Sequence, residues 1–200
     1  GLRSTGVPVV ETWDISESPI DMLVGFSHEE VGRSVANHLV GQGYRHFALL
    51  SVDDPRGKVR ARVFLETLQE HGITDVVHQS FSELPALEQG REGLTRILEA
   101  DSTPRVVVCT SDTIAHGVLT EAASRHLKVP EQVSVFGFGD MNFAAHTYPP
   151  LSTVRIDGKH IGQLAATALL RRLKNGVYDT VNDDVGFTLI DRLSTRTQTP

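Results

Sequence analysis

Short apolar runs that favour β-strands alternate along this chain with segments whose apolar residues recur at helical spacing. Strands are predicted at residues 7–10, 22–26, 47–51, 74–78, 105–110, 133–136 and 185–190. Parallel strands need a long crossover, usually a helix, so this alternation predicts an α/β fold with parallel sheets. The strand predicted at residues 105–110 has a continuously apolar centre, Val106 to Cys109, which is typical of a strand buried on both faces of such a sheet.

Composition excludes several classes of protein. The 200 residues are 40% hydrophobic and 22% charged, which is ordinary for a globular domain, and no apolar run approaches the ~18 residues that cross a bilayer. The net charge of −6 opposes DNA binding by this segment's own surface. Because Cys109 is the only cysteine, no intrachain disulfide can form, and we predict a cytoplasmic protein.

Catalytic and metal-binding motifs are missing from the sequence. It contains no Gly-x-Ser-x-Gly elbow, glycine-rich dinucleotide fingerprint or phosphate loop, and its histidines lack metal-site spacing. Ser111, Asp112 and His116 invite a catalytic interpretation, but the spacing of Asp112 and His116 fits a pair on a helix surface. We therefore predict that the chain is not an enzyme and binds no cofactor or metal.

Residues 133–157, VSVFGFGDMNFAAHTYPPLSTVRID, contain the most informative motif. Their β-prone start ends at Gly137-Phe138-Gly139-Asp140, where small residues let a ligand approach the backbone and a carboxylate follows the strand. Ligands of open α/β sheets bind outside the carboxyl ends of the strands. The motif therefore predicts a ligand site at this edge.

This stretch, with Val129-Pro130-Glu131 before it, resembles the effector-binding core of the LacI/GalR family of transcriptional repressors. The usual family pattern runs V-P-x-x-(I/V)-S-V-x-G-F-D-D and then P-P-L-(T/S)-T-(V/I), and residues 189–195 are similar to its L-x-x-R-x-S-T ending. Gly139 stands where the family has its first aspartate. That variant resembles the gluconate-operon repressor branch.

The resemblance implies a periplasmic-binding-protein-like fold, in which two Rossmann-like lobes with parallel sheets are joined by three crossovers. Residues 1–43 and 157–181 would form an incomplete N-terminal lobe, and residues 44–156 and 182–200 the C-terminal lobe. The DNA-binding domain would be absent from this chain and lie upstream. A periplasmic sugar-binding protein of a transporter shares the fold and is the alternative.

The partners implied by the resemblance are a small sugar or sugar-acid effector, operator DNA through the missing N-terminal helix-turn-helix, and a second copy of the chain. The many apolar residues in the helix predicted at residues 112–128 also favour a homodimer. The net negative charge of the chain does not separate a regulator from a transport protein.

Arg60 and Lys58 are the predicted cationic contacts of the effector. Arg60 stands where the family reads R-x-x-G-F, and a guanidinium at the start of a helix suits bidentate capture of a carboxylate. Arg62 is an alternative on the same segment. Since Gly139 also removes a negative charge, we predict an anionic sugar such as gluconate or a keto-gluconate rather than a neutral hexose.

The other predicted contacts lie at strand and helix ends. We expect Phe81, in a polar loop, to stack on the ligand, although an ordinary core position is the alternative. Ser111 and Asp112 begin a helix where the family has Asn-Asp, with Ser111 as the N-cap. Asp140 is expected either to contact the ligand or to hold its loop. Glu30 aligns with an acidic residue near the sugar in the family, but it also fits a capping box with Ser27.

Overall fold

The computed structural model describes residues 7–12, 22–100, 104–175, 182–184 and 186–196. The chain forms two units, the first with residues 1–28 and 156–187 and the second with residues 29–155 and 188–200. It therefore passes between the units three times, after His28, Arg155 and Phe187.

The first unit contains a parallel three-stranded sheet. Its strands are β1 (Val10–Thr12), β2 (Met22–Gly25) and β8 (Asn182–Asp184), in the order β1-β2-β8. Helix α5 (Gly158–Asn175) belongs to the same unit and buries Ile161 and Ala168. The Asp157 carboxylate accepts a hydrogen bond from the backbone N–H of His160 at 3.0 Å, so Asp157 caps this helix.

A parallel four-stranded sheet forms the centre of the second unit. Its strands are β3 (Phe47–Val52), β4 (Val77–Phe81), β5 (Val106–Cys109) and β6 (Ser134–Phe136), in the order β4-β3-β5-β6. The accompanying helices are α1 (His28–Gly41), α2 (Pro55–Glu70), α3 (Leu87–Glu99) and α4 (Asp112–Ser124). Strand β7 (Thr153–Arg155) pairs antiparallel with β9 (Thr188–Ile190), and isolated bridges join Phe136 to Ser152 and Gly139 to Arg155. The α/β prediction is thus confirmed.

The core of the second unit lies between this sheet and helices α3 and α4. Ile114, Val118 and Ala122 of α4 are completely buried there, together with Leu94 and Ile97 of α3. Burial of this apolar surface stabilises the unit. It also accounts for the apolar residues of α4, so these no longer favour a dimer.

Helices α3 and α4 approach each other at two glycines. A Cβ atom added to Gly90 would lie 1.9 Å from the carbonyl oxygen of Ile114, and one added to Gly117 would lie 2.0 Å from that of Leu87. Such distances are far below van der Waals contact. The two backbones therefore touch at a separation that only glycine permits.

A similar approach explains why helix α1 belongs to the second unit, whereas the sequence placed residues 29–43 with the first. A Cβ on Gly32 would lie 2.5 Å from the carbonyl oxygen of Arg60 in α2. Val31, Val35 and Leu39 of α1 are also buried. This close packing associates α1 with α2 and the larger sheet.

Three strands differ from the prediction. Strand β4 begins at Val77, three residues beyond the predicted start at Thr74, so Phe81 is the last residue of a strand and not part of a loop. Strand β1 begins where the predicted run 7–10 ends. Only the last three residues of the run predicted at 185–190 form a strand, β9, and Val185 lies outside the described residues. Among the described helices, none is long and apolar enough to span a bilayer.

Candidate functional site at the carboxyl edge of the larger sheet

The carboxyl ends of the parallel strands β3, β5 and β6 meet at one edge of the second unit's sheet. A small cavity of about 30 Å³ lies there. It is lined by residues of α1, α2 and the strand ends, among them Arg60, Thr110, Gly137 and Phe138. This is the edge at which the sequence predicted a ligand site.

Arg60 lies in the second turn of α2, and its cation is fixed by two contacts. Its Cζ atom lies 3.8 Å from the centroid of the Phe138 ring, and Nη2 donates to the carbonyl oxygen of Thr110 at 3.3 Å. Burial lowers the pKa of Arg60 to about 10, while the charge of Asp54 raises it and that of Arg56 lowers it. The guanidinium is therefore a half-buried, positively charged group beside the cavity at neutral pH.

Lys58 and Phe81 are brought together through Asp53. Lys58 Nζ lies 3.1 Å from the Asp53 carboxylate, and the Asp53 backbone N–H donates to the Phe81 carbonyl at 2.7 Å. The Phe81 side chain is half-buried and packs against the core cluster of the second unit. The structure thus corrects its predicted loop position and shows the core contact that was the alternative.

Ser111 and Asp112 begin helix α4 directly after β5. Ser111 Oγ accepts a hydrogen bond from the Thr113 backbone N–H at 3.2 Å, which confirms the predicted N-cap. Asp112 is completely buried: it accepts from the Thr153 hydroxyl at 2.7 Å and from the Met141 backbone N–H at 2.8 Å. The interpretation of Asp112 as half of a surface pair is therefore wrong. Burial raises the pKa of Asp112, although these two hydrogen bonds oppose the shift.

Asp140 is clamped by two arginines that the sequence did not indicate as site residues. One carboxylate oxygen lies 2.8 Å from Arg155 Nε, and the other lies 2.8 Å from Arg192 Nη1. Its backbone has a φ of 50°, a left-handed value that aspartate tolerates better than most residues, while Gly139 has a φ of 121°. Of the two predicted roles, the structure shows Asp140 holding its loop, through arginine side chains.

The predicted contact Glu30 lies in the first turn of α1, where its exposed carboxylate pairs with Arg33.

Four of the other candidates form two pairs at the edge of the sheet. Thr153 Oγ1 links Asp112 and Asp140, since it donates to the Asp112 carboxylate and accepts from the Asp140 backbone N–H at 3.4 Å. Lys58 and Phe81 form the second pair. No cluster of three metal-ligating side chains occurs in the described parts of the chain.

Acidification is expected to weaken the second unit through Asp140. Burial raises the pKa of this carboxyl, but hydrogen bonds and charges of Arg192 and Arg155 outweigh it, and the net pKa is lowered. A lowered folded-state pKa contributes stability that is present above the unfolded value of ~3.9 and is lost as the pH falls further. Urea unfolding of the wild type and Asp140→Asn should therefore differ most at neutral pH and converge below about pH 4. A pH-independent difference would contradict this origin.

A family model, curated relatives and a solved structure similar to this chain agree with one another. Residues 36–195 match the family model of the periplasmic binding protein-like domain. The transcriptional regulator GntR of Pseudomonas aeruginosa is 32% identical over 97% of this chain, and IdnR of Escherichia coli is 29% identical over 94%. The crystal structure of a LacI family transcriptional regulator from Silicibacter pomeroyi superimposes with a TM-score of 0.89 at 32% identity, covering 98% of this chain and 72% of that one.

The chain belongs to the LacI/GalR family of transcriptional regulators.

Membership of the LacI/GalR family confirms both the resemblance and the periplasmic-binding-protein-like fold that it implied. GntR and IdnR fit the gluconate-operon repressor branch that the Gly-Phe-Gly-Asp variant indicated. All three relatives are named as transcriptional regulators, and none of these names denotes an enzyme. The chain spans 57% of the length of GntR and of IdnR, somewhat more than half of each.

Proposed function

We propose that this chain is the effector-binding domain of a LacI-type DNA-binding repressor and that its effector is a sugar acid such as gluconate. The observation that carries the sugar-acid part is Arg60, whose cation lies half-buried beside the cavity, fixed by Phe138 and Thr110. A partly desolvated guanidinium binds a carboxylate more strongly than one in water, because the surrounding dielectric constant is lower.

The neighbouring loop supports an anionic effector. With a φ of 121° at Gly139, an aspartate there would be strained, and its Cβ would lie 3.9 Å from the Asp112 carboxylate. Glycine avoids both this strain and a second negative charge. The charge of Asp140 is compensated by Arg155 and Arg192. The negative charge of the loop around Asp140 therefore offsets little of the positive charge of Arg60 at this edge of the sheet.

The candidate residues have distinct proposed roles. Arg60 pairs with the carboxylate of the effector, Phe81 covers the apolar face of its carbon chain, and Ser111 hydrogen-bonds a hydroxyl. Lys58 and Glu30 act as further polar contacts. The buried hydrogen bonds of Asp112 and the ion pairs of Asp140 support roles in positioning the 137–141 loop.

Regulation follows from linkage between binding events. An effector with different affinities for two conformations of the domain shifts their equilibrium, and the shift changes the operator affinity of an upstream DNA-binding segment. We propose that the full-length protein does this in the cytoplasm as a homodimer without catalysing a reaction. Sedimentation and operator-binding assays with and without gluconate measure both properties.

The alternative is a periplasmic sugar-binding protein of a transporter, which has the same fold. The names of the relatives favour the regulator, since GntR, IdnR and the Silicibacter protein are all transcriptional regulators. The sequence upstream of residue 1 separates the two, because a helix-turn-helix there means a regulator and a signal peptide means transport.

Arg60→Ala is expected to weaken gluconate binding about thirtyfold, or by ~2 kcal/mol, because it removes a charge-assisted pair out of water. Titration calorimetry of the full-length protein with gluconate and with glucose measures this, and the wild type should prefer gluconate. Arg62→Ala is the matched control: it lies two residues away on α2, but its exposed side chain pairs with Glu66 and Glu29. Tighter binding of glucose, or unchanged gluconate affinity in Arg60→Ala, would remove the sugar-acid assignment.

A further inference from the structure

We infer that Arg155 and Arg192 are positioning residues of the proposed effector site. Acting through Asp140, they hold the 137–141 loop to the two segments by which the chain leaves and re-enters the second unit. This inference rests on the proposed function for its effect on effector affinity, whereas the clamp itself is a property of the described structure.

The carboxylate of Asp140 is shared between two partners. Each oxygen takes one arginine at 2.8 Å, and the Asp140 side chain is only 12% exposed. Arg192 is 15% exposed and also donates to the Leu151 carbonyl at 3.0 Å, while Arg155 is 52% exposed. The pair with Arg192 is therefore shielded on both sides, and such a pair is stronger than the mobile pairs of a protein surface.

The two arginines belong to different segments that meet in one ladder. Arg155 ends β7, and the chain enters the first unit directly after it. The chain returns at Thr188, the first residue of β9 and the ladder partner of Arg155, and reaches Arg192 two residues beyond that strand. One carboxylate thus connects the outgoing and the returning segments.

The same loop also supports the proposed anion contact. Gly137 and Gly139 donate backbone hydrogen bonds at 2.8 Å to the carbonyls of Ser152 and Val154, which keeps the loop beside β7. Between these glycines lies Phe138, whose ring faces the guanidinium of Arg60. A shift of the loop moves this ring. Losing either arginine should therefore reduce effector affinity, although neither is assigned a contact with the effector.

The binding test compares Arg155→Gln, Arg192→Gln and Asp140→Asn in the full-length protein by gluconate titration. Asparagine tolerates the φ of Asp140, so this variant changes the charge with little backbone strain. Each variant should weaken gluconate binding about tenfold, and adding Arg155→Gln to Asp140→Asn should weaken it no further, because both remove the same interaction. Arg155→Lys should recover part of the loss.

Arg96→Gln provides the matched control, since it breaks an exposed ion pair with Glu92 within helix α3. It should leave gluconate affinity unchanged. Arginine variants that lose thermal stability but keep wild-type affinity would show a purely structural role, and losses that multiply in the double variant would show independent action. Either result would overturn the inference.

Hydrogen exchange tests the clamp without a ligand. In Asp140→Asn, amides of residues 138–141 and 189–192 should exchange about tenfold faster than in the wild type, while those of helix α3 should keep their rates. If the wild type does not bind gluconate, the proposed effector is wrong, and the exchange result alone then decides the clamp. Unchanged exchange in either segment would refute it.

Discussion

Gly90→Ala is expected to lower the free energy of unfolding of the second unit by about 3 kcal/mol or more. The added Cβ would lie 1.9 Å from the Ile114 carbonyl and 2.7 Å from the Val118 backbone nitrogen. Backbone atoms cannot turn aside as a flexible side chain can, so helices α3 and α4 must move apart. The core between these helices and the sheet would lose packing as a result.

Urea unfolding followed by circular dichroism measures this effect, and the same unit provides a matched glycine. A Cβ added to Gly41, in the last turn of α1, has no atom within 4 Å among the described residues beyond its chain neighbours and the adjacent backbone of its own helix. Gly41→Ala should therefore stabilise slightly, by about 0.5 kcal/mol, because alanine loses less backbone entropy on folding. Equal stability changes in the two variants would show that the approach of α3 to α4 is not tight.

Asp112→Ala is expected to cost about 3 kcal/mol of stability. The lost carboxylate is completely buried and accepts hydrogen bonds from the Thr153 hydroxyl and the Met141 backbone N–H. Without it, the Thr153 hydroxyl loses its acceptor in a buried site and the Met141 N–H loses its acceptor in a partly buried one. Each unsatisfied donor then adds its desolvation penalty to the loss of the bond.

Asp112→Asn distinguishes hydrogen bonding from charge. Its amide oxygen can still accept from the Met141 N–H, and its amide nitrogen can donate to the Thr153 hydroxyl. Asparagine carries no ionisable group, so the unfavourable burial that raises the pKa of Asp112 is removed. We expect this variant to lie within about 1 kcal/mol of the wild type in urea unfolding. If the alanine variant were as stable as the wild type, the hydrogen bonds of Asp112 would contribute nothing to the fold.

Local sequence signals predicted the start of helix α4 well and the edge strand β4 poorly. The predicted cap at Ser111 is present because it depends only on a backbone N–H within three residues of the cap. Strand β4 lies at the edge of its sheet with alternate residues half-buried and exposed, so its apolar signal is weak and its start was predicted too early. Phe81 was therefore assigned to a loop.

The carboxyl edge of the sheet could be predicted as a site, but most contacts within it could not. The Gly-Phe-Gly-Asp motif located the loop because glycines and a carboxylate at a strand end are readable from sequence. Its arginine partners come from residues 155 and 192, and the partner of Phe138 comes from residue 60. Such pairings depend on tertiary structure. Arg192 stood in the recognised ending, but that pattern does not indicate a partner.

The ladder between β7 and β9 brings together the two points at which the chain leaves and re-enters the larger unit. Arg155 and Thr188 are direct partners in it, so the chain leaves and re-enters this unit at adjacent points. Adjacent ends of antiparallel strands are the ends that a two-residue turn joins in a hairpin. Residues 156–187 are thus, in topological terms, an insertion into a hairpin loop. An Asn-Gly turn in their place would give an uninterrupted chain through the larger unit and leave its ladder intact.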